Sequence, residues 1–373
     1  MKKIIYISYS FEKGGAARAS NNICDCLIKK KFNIKKYSYK NIIKNNFFSL
    51  IKILFFNLLF KTISKNKKKK SFNLFNISNL NRICENYNIV HLNWIGNEFL
   101  SLKEIIKINK KIVWTVHDDW LKNVITHVGD EDSNNNFPIS YFKKKIRNYK
   151  KKLFKKKITF IAPSNYILKN LRKKTKNKIY LIRHPIDEKI FNYKKKKKSN
   201  LITFNIGGSN VFQDQNKGSS HVDKILNLSK DYINIDYKFI FFGSKNYDNK
   251  FNKNKKIYLK NYLESKKISK IFSNSDYTFV LSKIESFSLI TAESLMCGCP
   301  IVCFDDNAAS ELIIHKKNGF LLKRNDKNSI KNFLLWAKKN KNFFNRKKIA
   351  KEANKEFSYK SISKKYKKIY EDL

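Results

Sequence analysis

Short apolar runs of strand length recur along the chain, and between them lie stretches whose apolar positions fall at helical spacing. Ile4 to Ser8 opens the series, followed by a loop with Gly14-Gly15 and a helix from about Ala16 to Lys30. Ile89–Trp94, Ile112–His117, Ile158–Ala162 and Ile179–Ile182 read as further strands of a first set. A second set begins at Leu201–Ile206 and continues through Tyr237–Phe242, Lys256–Leu259, Tyr277–Leu281 and Ile301–Phe304. Within it a helix is expected over about 221–230. Another starts near Ser288, where Leu289, Ala292, Leu295 and Met296 keep a helical period until Gly298 and Pro300 end it. A last helix, about 361–372, carries Ile362, Tyr366 and Ile369 on one face. No repeat of solenoid type is visible.

Strand and helix alternating twice over predict an α/β protein with two Rossmann-like, doubly wound domains facing a cleft. The length of 373 residues agrees, being too great for one ordinary core. Composition adds a formal charge of +51, from 80 Lys and Arg against 29 Asp and Glu. Such a surplus attracts nucleic acid or an anionic membrane face. A chain crowded with Lys, Asn, Ile and Phe and poor in Gly and Pro also fits an AT-rich genome, so local clusters carry more meaning than the total. Residues 143–157 hold nine lysines and one arginine and read as a basic helix with a solvated charged face. Lys194 to Lys198 read as a linker or surface loop.

Residues 47–63 are dense in Phe and Leu, and Lys67 to Lys70 come directly after. This stretch is too short and too interrupted to span a bilayer. It suits an amphipathic helix at an anionic membrane surface through 47–70, or equally a core helix with a solvated lysine loop. The N-terminus enters a strand directly, without a signal-peptide pattern, so a cytoplasmic location is expected, with that segment offering a peripheral contact to the inner membrane face. Six cysteines show no CxxC pair and no His at zinc spacing, and buried thiols are expected.

The stretch from Glu285 to Pro300 carries the most specific chemistry. A helix starting near Ser288 aims backbone amides at an anion, and it comes after a parallel strand, where α/β sheets bind ligands. Glu285 and Glu293 would lie roughly 10–12 Å apart if the segment were helical throughout, suiting two ends of one elongated ligand rather than one acid/base pair. Each Glu alone also reads as a solvated surface charge. The segment resembles the E-x7-E motif of retaining glycosyltransferases of the GT-B architecture, glycosyltransferase family 4, also described as glycosyl transferases group 1. That resemblance implies that Glu293 holds the nucleotide ribose and that Glu285 lies at the donor sugar.

Other stretches resemble the same family. Gly14-Gly-Ala-Ala-Arg-Ala-Ser20 is similar to its N-terminal glycine loop, which puts Gly15 between donor phosphate and acceptor, with Arg18 near a phosphate or simply exposed. Trp114-Thr-Val-His117-Asp118-Asp119-Trp120 resembles T-x-H-D-x-W, whose His contacts the donor sugar, and His91-Leu-Asn-Trp94 matches a further signature. Beyond His127 the family's usual aromatic and Cys residues are absent. Pro163-Ser164 resembles its P-S step, and His184-Pro-Ile-Asp187 stands where it has N-G-I/V-D. Lys217-Gly218 is similar to its K-G step, which implies that Lys217 neutralises the diphosphate. The usual preceding Arg is missing near Ser209 and Asn210, shifting that duty to Lys217 and the amides of Phe287, Ser288 and Leu289. Glu311 and Asn318-Gly319 match smaller elements. The resemblance places an acceptor-side domain at 1–186 and a nucleotide-sugar-binding domain at 187–356, with a helix over about 357–373 crossing back onto the first.

The implied reaction moves a sugar from a nucleotide-diphosphate sugar to a glycan or lipid-linked acceptor in cell-surface polysaccharide, lipopolysaccharide or capsule assembly. Catalytic roles fall to Glu285 and His117, and no required metal is expected. Asp118-Asp119 and Asp130-Glu131-Asp132 are weak metal signals without further spaced ligands. Two alternatives stay open: a nucleotide-sugar epimerase of GT-B shape, and a basic nucleic-acid-binding protein. No RNA-binding signature accompanies the charge, so no specific nucleic acid is expected as partner.

Overall fold

The computed structural model describes residues 2–12, 14–41, 51, 54–55, 69–76, 79–131, 139–208, 211–232, 237–243 and 257–373. The chain divides into two compact units, residues 1–185 with Ile362–Leu373, and Ile186–Ser361. The apolar and lysine-rich segment 47–70 falls almost entirely outside the described residues, as do Asp132, Ser209 and Asn210.

The first unit is built on six parallel strands: β1 (Lys3–Ile7), β2 (Asn33–Tyr37), β3 (Ile89–Leu92), β4 (Lys111–Thr115), β5 (Ile158–Ala162) and β6 (Ile179–Leu181), in the order β2-β1-β3-β4-β5-β6. The central strands are buried on both faces, which is why they read as unbroken Ile and Val runs rather than as alternation. Ile5, Val90, Ile112, Trp114 and Phe160 pack there with Ile105, Ile146, Leu153 and Leu168 of the covering helices. β2 is not evident in the apolar pattern. It is a half-exposed edge strand whose Lys35 and Lys36 break the run, as edges facing water commonly do.

The second unit holds β7 (Ile202–Gly207), β8 (Tyr237–Phe242), β9 (Ile257–Lys260), β10 (Tyr277–Val280), β11 (Ile301–Phe304) and β12 (Gly319–Leu322) in the order β12-β11-β10-β7-β8-β9, again all parallel. β12 is the second strand that the pattern does not announce, and it too is an edge. Aromatic rings fill this core. Phe204 stacks on Phe239 at 5.1 Å and meets the edge of Phe333 at 6.4 Å.

Two features of the sheets position polar groups where a ligand could reach them. β3 ends at Leu92 and β4 at Thr115, so Asn93, Trp94, Val116 and His117 lie beyond the strands, at the C-terminal edge of the sheet. In each sheet the strand order reverses beside the first strand, between β1 and β3 and between β7 and β10, and such reversals open a crevice at the C-terminal strand ends.

The basic helix spans Ile139–Lys155, and its lysines are not all solvated, contrary to the expectation from charge alone. Lys143 and Lys150 are buried. Lys143 lies 3.7 Å from Glu131. Lys150 donates to the carbonyls of Trp120, Asn123 and Val124 and sits 3.8 Å over the Trp120 ring. A buried ammonium is tolerable because those dipoles replace its water. The last helix, Tyr359–Glu371, buries Ile362, Tyr366 and Ile369. Its Tyr370 hydroxyl lies 2.6 Å from Nδ1 of His91, whose Nε2 lies 2.8 Å from the Thr115 hydroxyl.

Candidate functional site

At the β7/β10 crevice the loop after β7 turns back through a short 3-10 turn, Gln215–Lys217. The Asp214 carboxylate caps it by accepting the Asn216 N–H at 2.8 Å. Gly218 then takes φ +84°, and a Cβ there would come within 2.4 Å of the Leu281 carbonyl oxygen, so only glycine lets the loop lie against the end of β10. A backbone bond from the Lys283 N–H to the Asn216 carbonyl, 2.8 Å, ties the two loops together.

Across this junction the Lys217 ammonium donates to Glu285 Oε1 at 2.8 Å, with the lysine side chain 33% and the glutamate 16% exposed. The Glu285 charge holds the Lys217 ammonium above the usual lysine range, against the opposing effect of burial. Lys217 is therefore a fixed cation in the crevice. Glu285 lies in the loop, outside the helix, so the helical spacing used to estimate its distance from Glu293 does not apply.

The helix itself is Leu289–Met296 with Ser288 as its N-cap. The Ser288 hydroxyl oxygen accepts from the Thr291 hydroxyl at 2.9 Å and from the Thr291 N–H at 3.4 Å. Ser288 has φ +73°, a left-handed backbone that costs a non-glycine residue free energy and is often found at ligand sites. Phe287 is buried against Phe357, ring centroids 6.1 Å apart, anchoring the loop just before the cap, and Leu289 is half-buried. The first turn carries no acid, leaving its dipole uncompensated by a side chain. Residues 291–296 are all buried, and Glu293 among them is 0% exposed. Neither Glu285 nor Glu293 is the solvated charge that each alone resembled.

The first unit brings a second cluster to its own sheet edge. The helix Gly15–Ile28 begins after Gly14, which has φ +100°, and both glycines are exposed with open space around a would-be Cβ. Arg18 is half-buried in the first turn. His117 Nε2 lies 3.1 Å from Asn93 Oδ1 and 3.4 Å from the Ser20 hydroxyl, and Tyr6 donates its O–H to the same Asn93 oxygen at 2.9 Å. An amide oxygen accepts, so Nε2 carries the proton and Nδ1 is the acceptor. The His117 ring stacks on His184 at 5.0 Å. Burial pushes the His117 imidazole down to about 4, which keeps it neutral near pH 7. Ser20, Asn93 and His184 thus join His117, although the sequence does not single them out for this role. Each does fall within a run that the sequence marks, Asn93 in His91 to Trp94, Ser20 in Gly14 to Ser20 and His184 in His184 to Asp187, but none is marked there as a partner of His117.

The neighbouring acids serve internal bonds. Asp118 accepts from Trp94 Nε1 and from His127 Nδ1, both at 2.6 Å, and His127 Nε2 meets the Ser71 hydroxyl at 2.8 Å. Burial would raise the Asp118 carboxyl, but His127 and these donors outweigh it and hold it below the usual range. Glu131 accepts the N–H groups of Val124 and Ile125. Among the described residues no group of three His, Cys, Asp or Glu side chains is placed to hold a metal, and no helix is long and apolar enough to cross a membrane. All six cysteines are buried thiols.

Two family models match successive parts of the chain: Glycosyltransferase Family 4 over residues 58–189 and Glycosyl transferases group 1 over residues 186–356. An uncharacterised glycosyltransferase of Methanocaldococcus jannaschii is 25% identical over 221 residues, which span 57% of this chain and 59% of that relative. Among solved structures, HepE of Anabaena in complex with UDP and glucose has a TM-score of 0.65 at 12% identity, with both chains covered in full. Sucrose-phosphate synthase from Thermosynechococcus elongatus has a TM-score of 0.68 at 12% identity, covering 100% of this chain and 99% of that one.

Proposed function

Taking as premise that the chain belongs to the glycosyltransferases of family 4 and group 1, with the fold of the GT-B enzymes, we propose that it transfers a sugar, with retention of anomeric configuration, from a nucleotide-diphosphate sugar to a glycan or lipid-linked acceptor. The observation that carries the donor site is the convergence of Lys217, Glu285 and the Ser288-capped helix start at one strand-order reversal, with Glu293 buried in the same helix.

In this reading Lys217 and the amides near Phe287, Ser288 and Leu289 stabilise the departing diphosphate. Glu293 accepts from the ribose hydroxyls, and Glu285 positions the donor sugar. The neutral His117 imidazole hydrogen-bonds a sugar hydroxyl, and Gly15 keeps a backbone amide approachable. The bond from the anomeric carbon to the diphosphate oxygen breaks while a bond to the acceptor oxygen forms on the same face. The acceptor's hydroxyl proton passes to the leaving diphosphate. No side chain is assigned as a nucleophile, so return from the front face replaces a glycosyl-enzyme. Metal independence belongs to the proposal, and turnover unchanged by a chelator tests it. Assembly of cell-surface polysaccharide is the setting proposed for the acceptor.

HepE was captured with UDP-glucose, so UDP-sugars head the screen, with GDP- and ADP-sugars beside them. A donor at a hundredfold excess over its Kd stabilises the folded chain by about 2.7 kcal/mol. Glu293→Ala should abolish that thermal shift. Equal shifts in wild type and variant, or no shift with any nucleotide-sugar, would overturn the donor site.

A further inference from the structure

The Lys217–Glu285 pair has a consequence for which ligands the crevice keeps. Both backbones are pinned: Lys217 by the Asp214 cap and by Gly218 against Leu281, and Glu285 by the Lys283-to-Asn216 bond two residues earlier. The side chains can exchange partners, but the loops cannot part without breaking those contacts. One of the three Lys217 ammonium donors is already satisfied by a carboxylate, the same chemistry that a phosphate would offer it.

We propose that Glu285 is an internal counter-ion that holds Lys217 while no diphosphate is bound, and so makes the site prefer the intact nucleotide-sugar to the nucleoside diphosphate left after transfer. This rests on the donor-site reading above. A nucleoside diphosphate carries a terminal phosphate with a second ionisation near pH 6, and so about one more negative charge than its sugar ester at pH 7.5. That extra charge stands beside Glu285 when the diphosphate takes over Lys217. The ester lacks it, and its sugar hydroxyls donate to the carboxylate that Lys217 has released. The same side chain therefore penalises product more than donor, and product leaves a site that re-pairs behind it.

The test is calorimetric titration of the full chain with UDP, GDP and their glucose esters, at low salt and in 0.5 M NaCl, for wild type, Glu285→Gln and Lys217→Met. Removing the carboxylate charge while keeping its shape should tighten the diphosphate roughly fivefold at low salt, the scale of a partly exposed ion pair. The gain should be smaller for the ester and should shrink in high salt. Lys217→Met should weaken both ligands. If Glu285→Gln binds the diphosphate no more tightly than wild type while Lys217→Met loses it, the counter-ion role is wrong and the donor site stands. If no nucleotide binds wild type, both fall. A purely structural Glu285 would weaken both ligands in the Gln variant, which also refutes the proposal.

Discussion

His91 gives the most quantitative prediction. It is wholly buried between the Tyr370 hydroxyl and the Thr115 hydroxyl, and burial, with a smaller effect of His117, pushes its imidazole down to about 3. In the unfolded chain the same imidazole titrates near 6.5. Below pH 6.5 the unfolded state takes up a proton that the native state refuses, so stability is complete above that value and is lost as pH falls toward 3. Between pH 7.5 and 5.0 a single such histidine costs about 2 kcal/mol. His117, pushed down to about 4, adds a similar amount over that range. Glu98, raised to about 7 by burial, acts in the opposite sense, and neither of these changes in a His91 variant. Three of the four tryptophans, Trp94, Trp114 and Trp120, lie in the first unit, so a Trp336→Phe background makes fluorescence report that unit alone. Urea titrations at pH 7.5, 6.5, 5.5 and 5.0 should show His91→Gln losing about 2 kcal/mol less than its parent across the range. Whatever the variant's stability at pH 7.5, pH profiles parallel to the parent's would refute the reasoning.

Gly218→Ala should destabilise the second unit by about 2 kcal/mol, from the left-handed backbone and the Leu281 clash, and should weaken nucleotide binding roughly tenfold, read by denaturation and calorimetry. Lys150→Met leaves the carbonyls of Trp120, Asn123 and Val124 without their donor and should cost about 3 kcal/mol of first-unit stability in urea. His117→Ala should cut kcat more than donor KM. Because the native imidazole is already neutral well below pH 6.5, the wild-type rate should show no acid limb centred near 6.5, and a limb there that vanishes in His117→Ala would contradict its assigned state.

The elements legible in the sequence are those whose physics leaves a local trace. Doubly buried parallel strands must be continuous apolar runs, and those of β1, β3 to β5 and β10 are plain for that reason. The helix start at Ser288 is legible because cap, periodic apolar face and terminal glycine all fall within eleven residues. β2 is not, because Lys35 and Lys36 break its run, and β12 offers only Phe320 to Leu322 as apolar residues, whereas the other two edge strands, β6 and β9, are legible. Lys143 and Lys150 give no warning of burial, because one lysine looks like another in a row of nine. Ser20 and His184 reach His117 from 97 and 67 positions away, a distance that only the fold closes.

Composition also decides which charges are informative in such a chain. With 80 cationic residues against 29 acids, a lysine next to almost anything is expected, whereas an acid withdrawn from solvent is not. The acids of the described residues bear this out: Asp276 accepts the Thr203 N–H and pairs with Lys196, Glu98 accepts the N–H groups of Phe72 and Asn73, Asp118 holds His127 and Trp94, and Glu285 holds Lys217. Most of these bonds fasten a loop, so an acid at a crevice supports a functional reading only when its partner is also one that a ligand would claim. Asp118 fails that criterion, because an indole and an imidazole buried behind it have no reason to leave. Glu285 meets it, because its partner is a part-exposed ammonium beside a helix start. The measurement that separates the two classes is salt dependence: raising NaCl should loosen nucleotide binding through Lys217 while leaving the Asp118–His127 contact intact, as read by first-unit stability. A first-unit stability that fell in step with nucleotide affinity would erase the distinction.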